Sequence, residues 1–527
     1  MDKVFEYRLN QLVTNGLEHS IRQGLKGLEK ESLRITRDGK ISQSPHPAKL
    51  GSALTHPYIT TDYSEALLEF ITPPFNKTNN TLIFLKDIHQ FVYDNLDDEL
   101  LLATSMPCAI SGDESVPIAE YGSSNIGKMK HIYRRGLGYR YGRTMQTIAG
   151  IHFNYSLPVD FWPLFQNIEK NNQTLDDFVG DAYFAMIRNV HRIGWILLYL
   201  FGASPAICKS FIRDRRESCQ DFQEFDPYTW YTPFATSLRM SDIGYKNNNQ
   251  AHLHISYDNV NSYVQSLTDA IETSFPEYQA IGIKSNGEYR QLNDSILQIE
   301  NEYYSNIRPK QIAQSGEKPT LALKRRGVKY IEIRSLDIDI FHDIGVSADK
   351  LHFIEALMIS CLFHESPNID PAENRVLNEN FLNVAYRGRD PGLKLFCASQ
   401  QKTETVHAAA LSFCDSMQPI CNILDGRDDS KPYSAALAAQ VEAIENPDQT
   451  PSAKILSEMK QTGEPFARYA QRISEEHEKN FRARRLNPNR TAEFDQIAVE
   501  SIREQKMIEN QDLVSFDKFL KRYFEQH

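Results

Sequence analysis

The sequence predicts an α+β fold whose main sheet has one polar face. Three apolar stretches carry acidic, imidazole or guanidinium groups at alternate positions, whereas the later part of the chain has helical patterns. Alternate side chains of a strand share a face, and buried charges need partners. We therefore expect this face to hold divalent cations and an anionic substrate. The stretches are residues 27–34, 151–155 and 330–335, and they pair Glu29 with Glu31, His152 with Asn154, and Glu332 with Arg334.

The composition of the chain excludes some classes of protein. The 527 residues suffice for a large core and more than one domain, and the net charge of −11 argues against a dedicated nucleic-acid binder. Seven cysteines without a CxxC pair suggest free thiols in a reducing compartment. The start resembles no signal peptide, and the longest uncharged stretch, residues 193–208, is too short to span a bilayer. We expect a cytoplasmic protein without nucleic-acid or membrane partners.

Helical and strand-like pieces alternate in the first part of the chain. Apolar residues recur at helical spacing in two long segments, of which the second becomes nearly all apolar before a Gly-Ala-Ser-Pro sequence ends it. A third amphipathic segment follows the last polar strand. Helices are predicted over residues 78–97, 175–201 and 348–363, and surface loops over 214–234 and 246–250.

The carboxyl-terminal part has a different character. From about residue 403 the sequence is mainly charged and helical, and residues 492–524 suit a pair of surface helices. The predicted division is an α+β catalytic portion over residues 1–385 and a mainly helical portion over residues 386–527.

The strongest candidate site is the pair Glu29 and Glu31. Two carboxylates on one strand face repel unless a cation lies between them. An exposed acidic edge strand is the ordinary alternative, but the apolar neighbours Leu28 and Leu33 favour metal coordination. Asp62 and Glu69 flank another apolar run, and taken alone each is more often a cap or a surface charge. They could join the site, because Mg²⁺ is typically shared between carboxylates and a phosphate.

Two further strands add groups to this site. The spacing leaves ligation by His152 and a structural role equally open, and Gly150 predicts a close approach by a ligand or another strand. Glu332 and Arg334 could form a simple salt bridge within their strand. Their apolar surroundings favour a metal-ligating carboxylate beside a guanidinium that holds a phosphoryl group.

Two glycine-rich segments resemble nucleotide-binding motifs, but the residues around them do not fit such motifs. The first, residues 122–128, has Met129 where a phosphate-binding loop needs Ser or Thr, and no apolar strand precedes it. The second, residues 136–142, has the wrong glycine spacing for a dinucleotide site. If the protein uses ATP, we expect it to bind through the carboxylate-bearing sheet.

The chain resembles the proteobacterial glutamate–cysteine ligases. The matching stretches occur in family order between about residues 21 and 395, and the helical part after them matches in length and character more than in motif. They are residues 27–34, 50–56, 70–73, 145–154, 200–208, 235–239, 298–304, 307–310 and 330–337.

The resemblance implies a glutamine-synthetase-like antiparallel sheet, curved into a funnel and surrounded by helices. It implies ATP-dependent joining of the L-glutamate γ-carboxylate to L-cysteine through γ-glutamyl phosphate, the first step of glutathione synthesis. We expect the protein to be a monomer that uses Mg²⁺ or Mn²⁺. The resemblance places metals on Glu29, Glu31, Asp62, Glu69, His152 and Glu332, the transferred phosphate on Arg334, a substrate carboxylate or phosphate on Arg239, and cysteine near Tyr133, Arg134, Tyr245 and Tyr304. The alternatives are another carboxylate–amine ligase, a guanidino kinase of the same fold, and a metal-binding regulator without turnover.

Overall fold

A seven-stranded antiparallel sheet organises the molecule. The computed structural model describes residues 2–212, 222–244, 253–397 and 402–526. In this part of the chain the main sheet has the order β11-β12-β5-β1-β3-β2, and β4 pairs with the far end of β1. The strands are β1 (Leu25–Thr36), β2 (Ile59–Thr61), β3 (Leu67–Ile71), β4 (Glu99–Leu101), β5 (Ile151–Ser156), β6 (Ala206–Cys208), β7 (Gln223–Asp226), β8 (Thr229–Tyr231), β9 (Lys284–Ser285), β10 (Glu288–Tyr289), β11 (Ile307–Lys310), β12 (Tyr330–Leu336), β13 (Lys394–Cys397) and β14 (Lys402–Thr405).

The helices surround this sheet, so that the predicted α+β class is confirmed. Several begin at a side chain that accepts a backbone N–H, as Ser124, Thr174 and Ser347 do. The helices are α1 (Lys3–Thr14), α2 (Thr78–Asn95), α3 (Asn125–Tyr141), α4 (Phe161–Ile168), α5 (Leu175–Ile193), α6 (Trp195–Phe201), α7 (Val260–Glu272), α8 (Pro276–Ile281), α9 (Pro319–Arg326), α10 (Ala348–Phe363), α11 (Pro371–Arg387), α12 (Val406–Asp425), α13 (Pro432–Glu445), α14 (Pro451–Thr462), α15 (Phe466–Arg482), α16 (Pro488–Gln511) and α17 (Phe516–Phe524).

The register of the sheet brings the polar positions together. Glu29 on β1 lies opposite His152 on β5, and Glu31 lies opposite Glu69 on β3. On the next strand, Glu332 of β12 lies opposite Asn154. Three segments that are far apart in sequence therefore place their polar side chains on adjacent strands.

Two predicted elements differ from the structure. The single helix over residues 175–201 is wrong, because α5 ends at Ile193 and α6 begins at Trp195. A Cβ on the intervening Gly194 would lie 2.6 Å from the Val190 carbonyl oxygen, so only glycine fits this break. The predicted loop over 214–234 is also wrong where it is described, because β7 and β8 form a hairpin whose second strand pairs with β6. Residues 213–221 and 245–252 lie outside the described part of the chain.

The other predicted helices are confirmed. Helix α2 follows the pattern over residues 78–97, α10 covers 348–363, and the helices α12 to α17 fill the region after residue 403. Helices α16 and α17 correspond to the pair expected over residues 492–524. The described residues contain no helix long and apolar enough to cross a membrane.

The hydrophobic core is continuous across the predicted domain boundary. Fully buried side chains of the carboxyl-terminal helices, such as Met417, Phe481 and Phe494, belong to the same cluster as Leu28 and Ile331 of the sheet. The division near residue 385 stays a prediction.

Candidate active site

A carboxylate–histidine–carboxylate cluster lies on the polar face of the sheet. One ligand atom from each of Glu29, His152 and Glu332 lies within 4.8 Å of the others. The Nδ1 atom of His152 is 3.0 Å from Oε2 of Glu29 and 3.8 Å from Oε1 of Glu332. Because these residues come from β1, β5 and β12, the strand register alone assembles the cluster.

The donor set of this cluster fits a divalent cation. Oε2 of Glu332 and Nε2 of His152 are buried and make no hydrogen bond, and such orphaned buried atoms are rare in folded proteins. Asn154 Nδ2 donates to Oε1 of Glu29 over 2.9 Å and orients that carboxylate. Two carboxylates and an imidazole with unused lone pairs are suitable metal ligands.

A second group of acids adjoins the cluster. It consists of Glu31, Glu69 and Asp62, and Glu31 is fixed by the Gly150 N–H, which donates to its Oε2 over 2.6 Å. Burial raises the pKa of Glu31. Burial and then the charges of Glu29, Asp62 and Glu31 hold the pKa of Glu69 well above its usual range. This repulsion between carboxylates would be relieved by a bound cation.

Two basic side chains, Arg334 and Lys310, lie beside these acids on the same face of the sheet. Nη1 of Arg334 is 3.1 Å from Oε1 of Glu332 and 3.4 Å from Nδ1 of His152, and Nζ of Lys310 is 3.4 Å from the same Glu332 oxygen. Burial opposes ionisation of Glu332, but Lys310 and Arg334 outweigh it and hold its pKa well below the usual range. The Arg334 side chain keeps 13% of its surface exposed and can reach a substrate.

Arg239 lies apart from these exposed groups. Its side chain has no exposed surface, its Nη2 donates to the Arg334 carbonyl over 3.0 Å, and Nη1 is 3.7 Å from Asp337. A Cβ on Gly150 would lie 1.9 Å from the Arg239 guanidinium, which explains the glycine that the sequence singled out. Arg239 therefore contacts the backbone of Arg334, and its predicted contact with a substrate carboxylate or phosphate stays a prediction.

The cluster opens into a cavity of about 400 Å³. The predicted residues Tyr133, Arg134 and Tyr304 line it together with the metal-site groups, whereas Tyr245 lies outside the described residues. The Tyr304 hydroxyl accepts a hydrogen bond from Gln146 over 3.2 Å. Of the predicted acids, Glu29, Asp62, Glu69 and Glu332 line the cavity, and Glu31 is buried beside it.

Sequence reasoning missed a large part of the cavity wall, including three basic residues and a tyrosine. Arg308 and Lys310 share a face of β11, opposite β12, and their alternation was a readable signal. Lys130 stands one helical turn before Arg134 on α3, which was a second signal. Tyr523 on α17 gave none, because it reaches the cavity only through the packing of α17 against α3.

Carboxylates, an imidazole and cations around one cavity define an enzyme that acts on anionic substrates. A family model described as glutamate–cysteine ligase matches residues 9–384. The chain is 45% identical to the glutamate–cysteine ligase of Alcanivorax borkumensis over 527 residues, which is 99% of each chain. It is 46% identical to that of Pseudomonas entomophila over 503 residues, which is 95% of this chain and 94% of the relative.

Solved structures agree with these relatives. The crystal structure of a glutamate–cysteine ligase from Francisella tularensis in complex with AMP has a TM-score of 0.90 at 36% identity, covering 95% of this chain and 98% of that one. A bifunctional glutathione synthetase from Pasteurella multocida has a TM-score of 0.67 at 26% identity, covering 92% of this chain and 57% of that one. The chain belongs to the glutamate–cysteine ligase family and is an ATP-dependent ligase of that class.

Proposed function

We propose that this protein joins the γ-carboxylate of L-glutamate to the amine of L-cysteine through γ-glutamyl phosphate, with ATP as the phosphoryl donor. The main support for this proposal is the position of Arg334. Its guanidinium lies 3.1 Å from Glu332, at the edge of the carboxylate–histidine cluster. A guanidinium beside acidic ligands suits a phosphoryl group that approaches a carboxylate.

In the first step, a γ-carboxylate oxygen of glutamate attacks the γ-phosphorus of ATP. The bond from phosphorus to the bridging oxygen breaks, and ADP leaves with the electron pair. Arg334 and Lys310 face this reaction and offset the repulsion between two anions, while Arg239 holds the backbone of Arg334 in place. Positioning and charge stabilisation are the main contributions that a protein makes to such a transfer.

In the second step, the neutral amine of cysteine attacks the carbonyl carbon of the acyl phosphate. The carbon–oxygen bond to phosphate breaks, phosphate leaves, and the nitrogen loses a proton as the amide forms. We assign Tyr133, Arg134, Tyr245 and Tyr304 to the pocket that orients cysteine. The thiol takes no part in bond formation, so the pocket only has to accommodate it.

We propose Mg²⁺ as the resident cation, with Mn²⁺ as a possible substitute. Glu29, His152 and Glu332 would hold one ion, and Glu31, Asp62 and Glu69 would hold further positive charge. When bound, such an ion supplies charge neutralisation for the phosphates and carboxylates. Oxygen-rich ligand sets of this kind suit magnesium.

We further propose a cytoplasmic monomer. The buried thiols Cys108, Cys208, Cys361, Cys414 and Cys421 form no disulfide, which suits a reducing compartment. No enzyme nucleophile is needed for the proposed chemistry, so these cysteines need no catalytic role.

A coupled ADP-release assay tests the proposed function. With Mg²⁺ and ATP, we expect ADP only when glutamate and cysteine are both present, and γ-glutamylcysteine as the product. Turnover with glutamate and another amine, but not with cysteine, would indicate a different carboxylate–amine ligase, and transfer to a guanidino compound would indicate a kinase. No ADP with any pair would favour a metal-binding regulator.

A further inference from the structure

The glycine-rich segment before α3 resembles a phosphate-binding loop, and its backbone N–H groups bind carboxylates of this chain. The Ser123 N–H donates to Oε1 of Glu509 over 2.7 Å, and the Asn125 N–H donates to Oδ2 of Asp512. Gly122 has a φ of +79°, and a Cβ there would overlap the Glu509 side chain. The segment therefore binds an anionic group, but one that the carboxyl-terminal part of the chain supplies.

The two acids lie where their own helix does not favour them. Glu509 is in the last turn of α16, and Asp512 follows its last residue. The carboxyl end of a helix carries partial negative charge, whereas the amino end carries partial positive charge and unpaired N–H groups. The hydrogen bond from the Ser123 N–H is the main cause that lowers the pKa of Glu509. Both carboxylates are thus stabilised by the amino end of α3 rather than by α16.

The first turns of α3 make further contacts with the carboxyl-terminal segment. Nδ2 of Asn125 donates to the Val514 carbonyl over 3.0 Å. On the face of the helix, Met129 packs in one apolar cluster with Leu520 and Tyr523 of α17. Apolar contacts are non-directional, so the hydrogen bonds at the first turn are the contacts that fix the direction of the helix.

Helix α3 also forms a wall of the substrate cavity. Tyr133 and Arg134 line this cavity, and they lie about 12–14 Å along the helix from Asn125, at a rise of 1.5 Å per residue. A tilt of about 5° at the first turn would move them on the order of 1 Å. Displacements of this size in a binding wall are sufficient to weaken catalysis.

We propose that Glu509 and Asp512 are positioning residues, which fix the first turn of α3 and thereby place Tyr133 and Arg134 in the cavity. The acids act through the helix and not by contact with a substrate. This inference rests on the proposed function, which assigns Tyr133 and Arg134 to the cysteine pocket.

The double variant Glu509→Ala, Asp512→Ala tests this role. We expect the KM for cysteine to rise at least about fivefold, because the wall of its pocket is displaced. The KM for ATP should change less than about twofold, since its phosphates belong beside Arg334 on the sheet. A purely structural cap predicts a lowered melting temperature with unchanged KM values, and that result would overturn the proposal.

Two further double variants control for charge and for the hydrogen bonds. Asp495→Ala, Glu504→Ala removes the same two charges from exposed positions of α16 and should behave as the native chain. Glu509→Gln, Asp512→Asn keeps an oxygen acceptor at each position and should bring the cysteine KM to within about twofold of the native value. An equal rise in the KM for ATP, or no recovery in the amide variant, would contradict the positioning role.

Amide hydrogen exchange supplies a readout that does not depend on turnover. Exchange in residues 122–134 should be faster in the double alanine variant than in the Asp495→Ala, Glu504→Ala control, because the first turn of α3 loses its acceptors. Equal exchange rates would refute the contact between these acids and α3. A native chain that releases no ADP with glutamate and cysteine would instead contradict the proposed function.

Discussion

Arg334 is held through both its side chain and its backbone. Its guanidinium contacts Glu332 and His152, and its carbonyl is held by Arg239. We predict that Arg334→Lys lowers kcat on the order of a hundredfold, because lysine keeps the charge and loses the planar fork that suits phosphoryl oxygens. Steady-state kinetics with each substrate varied is the measurement. A normal kcat with only a raised KM for glutamate would place Arg334 on the substrate carboxylate instead.

The proposed metal site depends on the carboxylates of Glu332, Glu29 and Glu31. We predict that Glu332→Gln, Glu29→Gln and Glu31→Gln each lose most activity, and that Mn²⁺ binding weakens at least about tenfold, since a ligand charge is removed at nearly constant volume. Calorimetric titration with Mn²⁺ and a thermal melt are measured on each variant. Glu504→Gln, at an exposed position of α16, is the control. Native metal dependence in the three variants would refute the ligand set.

His56 gives a prediction about pH. Burial lowers its pKa from 6.5 to about 4, and Nδ1 accepts the N–H groups of Tyr58 and Ile59. Between these two pKa values the unfolded chain binds more protons than the folded one, so stability is complete above about pH 6.5 and falls as the pH drops towards 4. The loss corresponds to roughly 3 kcal/mol.

The variant His56→Asn tests this linkage, because the amide oxygen can accept the same N–H groups without titrating. Urea unfolding of both proteins at pH 7.5 and pH 5 should show a smaller decrease for the variant. Equal decreases would mean that His56 does not contribute to acid sensitivity.

Among the elements, β1 shows how one strand serves two environments. Glu29 and Glu31 face the site, whereas Lys30 points away from it, and its ammonium donates to Ser32 and lies over the Phe70 ring. The alternation of a strand separates these charges by face. Lys30 therefore lies on the opposite face of β1 from the acids.

The start of β1 is joined to α10 by a buried ion pair. Nζ of Lys26 lies 2.8 Å from Oε2 of Glu355, both side chains are almost fully buried, and the Tyr433 hydroxyl donates to the same oxygen over 2.7 Å. We predict that Lys26→Met destabilises the fold by about 3–5 kcal/mol, because it leaves Glu355 buried without a cation. The double variant Lys26→Met, Glu355→Leu should recover most of this loss. Urea unfolding gives both values, and a double variant no more stable than the single one would contradict the account.

On the scale of the whole molecule, the last helix completes the cavity. Tyr523 of α17 lines it, and so do Gly316 and Glu317 of the segment before α9. Lys318 joins the two, because its Nζ donates to the carbonyls of Phe524 and Gln526 over 2.9 and 3.1 Å. The carboxyl-terminal helices thus contribute both to the cavity wall and to the hydrophobic core.

We predict that Lys318→Met raises the KM of at least one substrate by about tenfold, since small displacements of a binding wall are costly, with little change in melting temperature. Lys521→Met, at an exposed position of α17, should leave KM unchanged. If Lys318→Met has native KM values, the tether does not shape the cavity.

The sequence by itself determined which residues form the polar face and that the fold is α+β. Strand alternation marked Glu29, Glu31, His152, Glu332 and Arg334, because period-two spacing is a local property of the chain. The longer stretches supported the family, and with it the reaction. Helix boundaries were less readable where a single glycine, Gly194, interrupts an apolar run.

Only the tertiary structure decided how these residues act together. Strand register sets which carboxylates adjoin, burial sets which of them resist ionisation, and helix packing brings Lys130 and Tyr523 to the same cavity. The buried place of Arg239 behind Arg334 also depends on contacts between segments about a hundred residues apart. Such long-range contacts leave no periodic trace in the sequence, because each depends on the packing of elements rather than on neighbours along the chain.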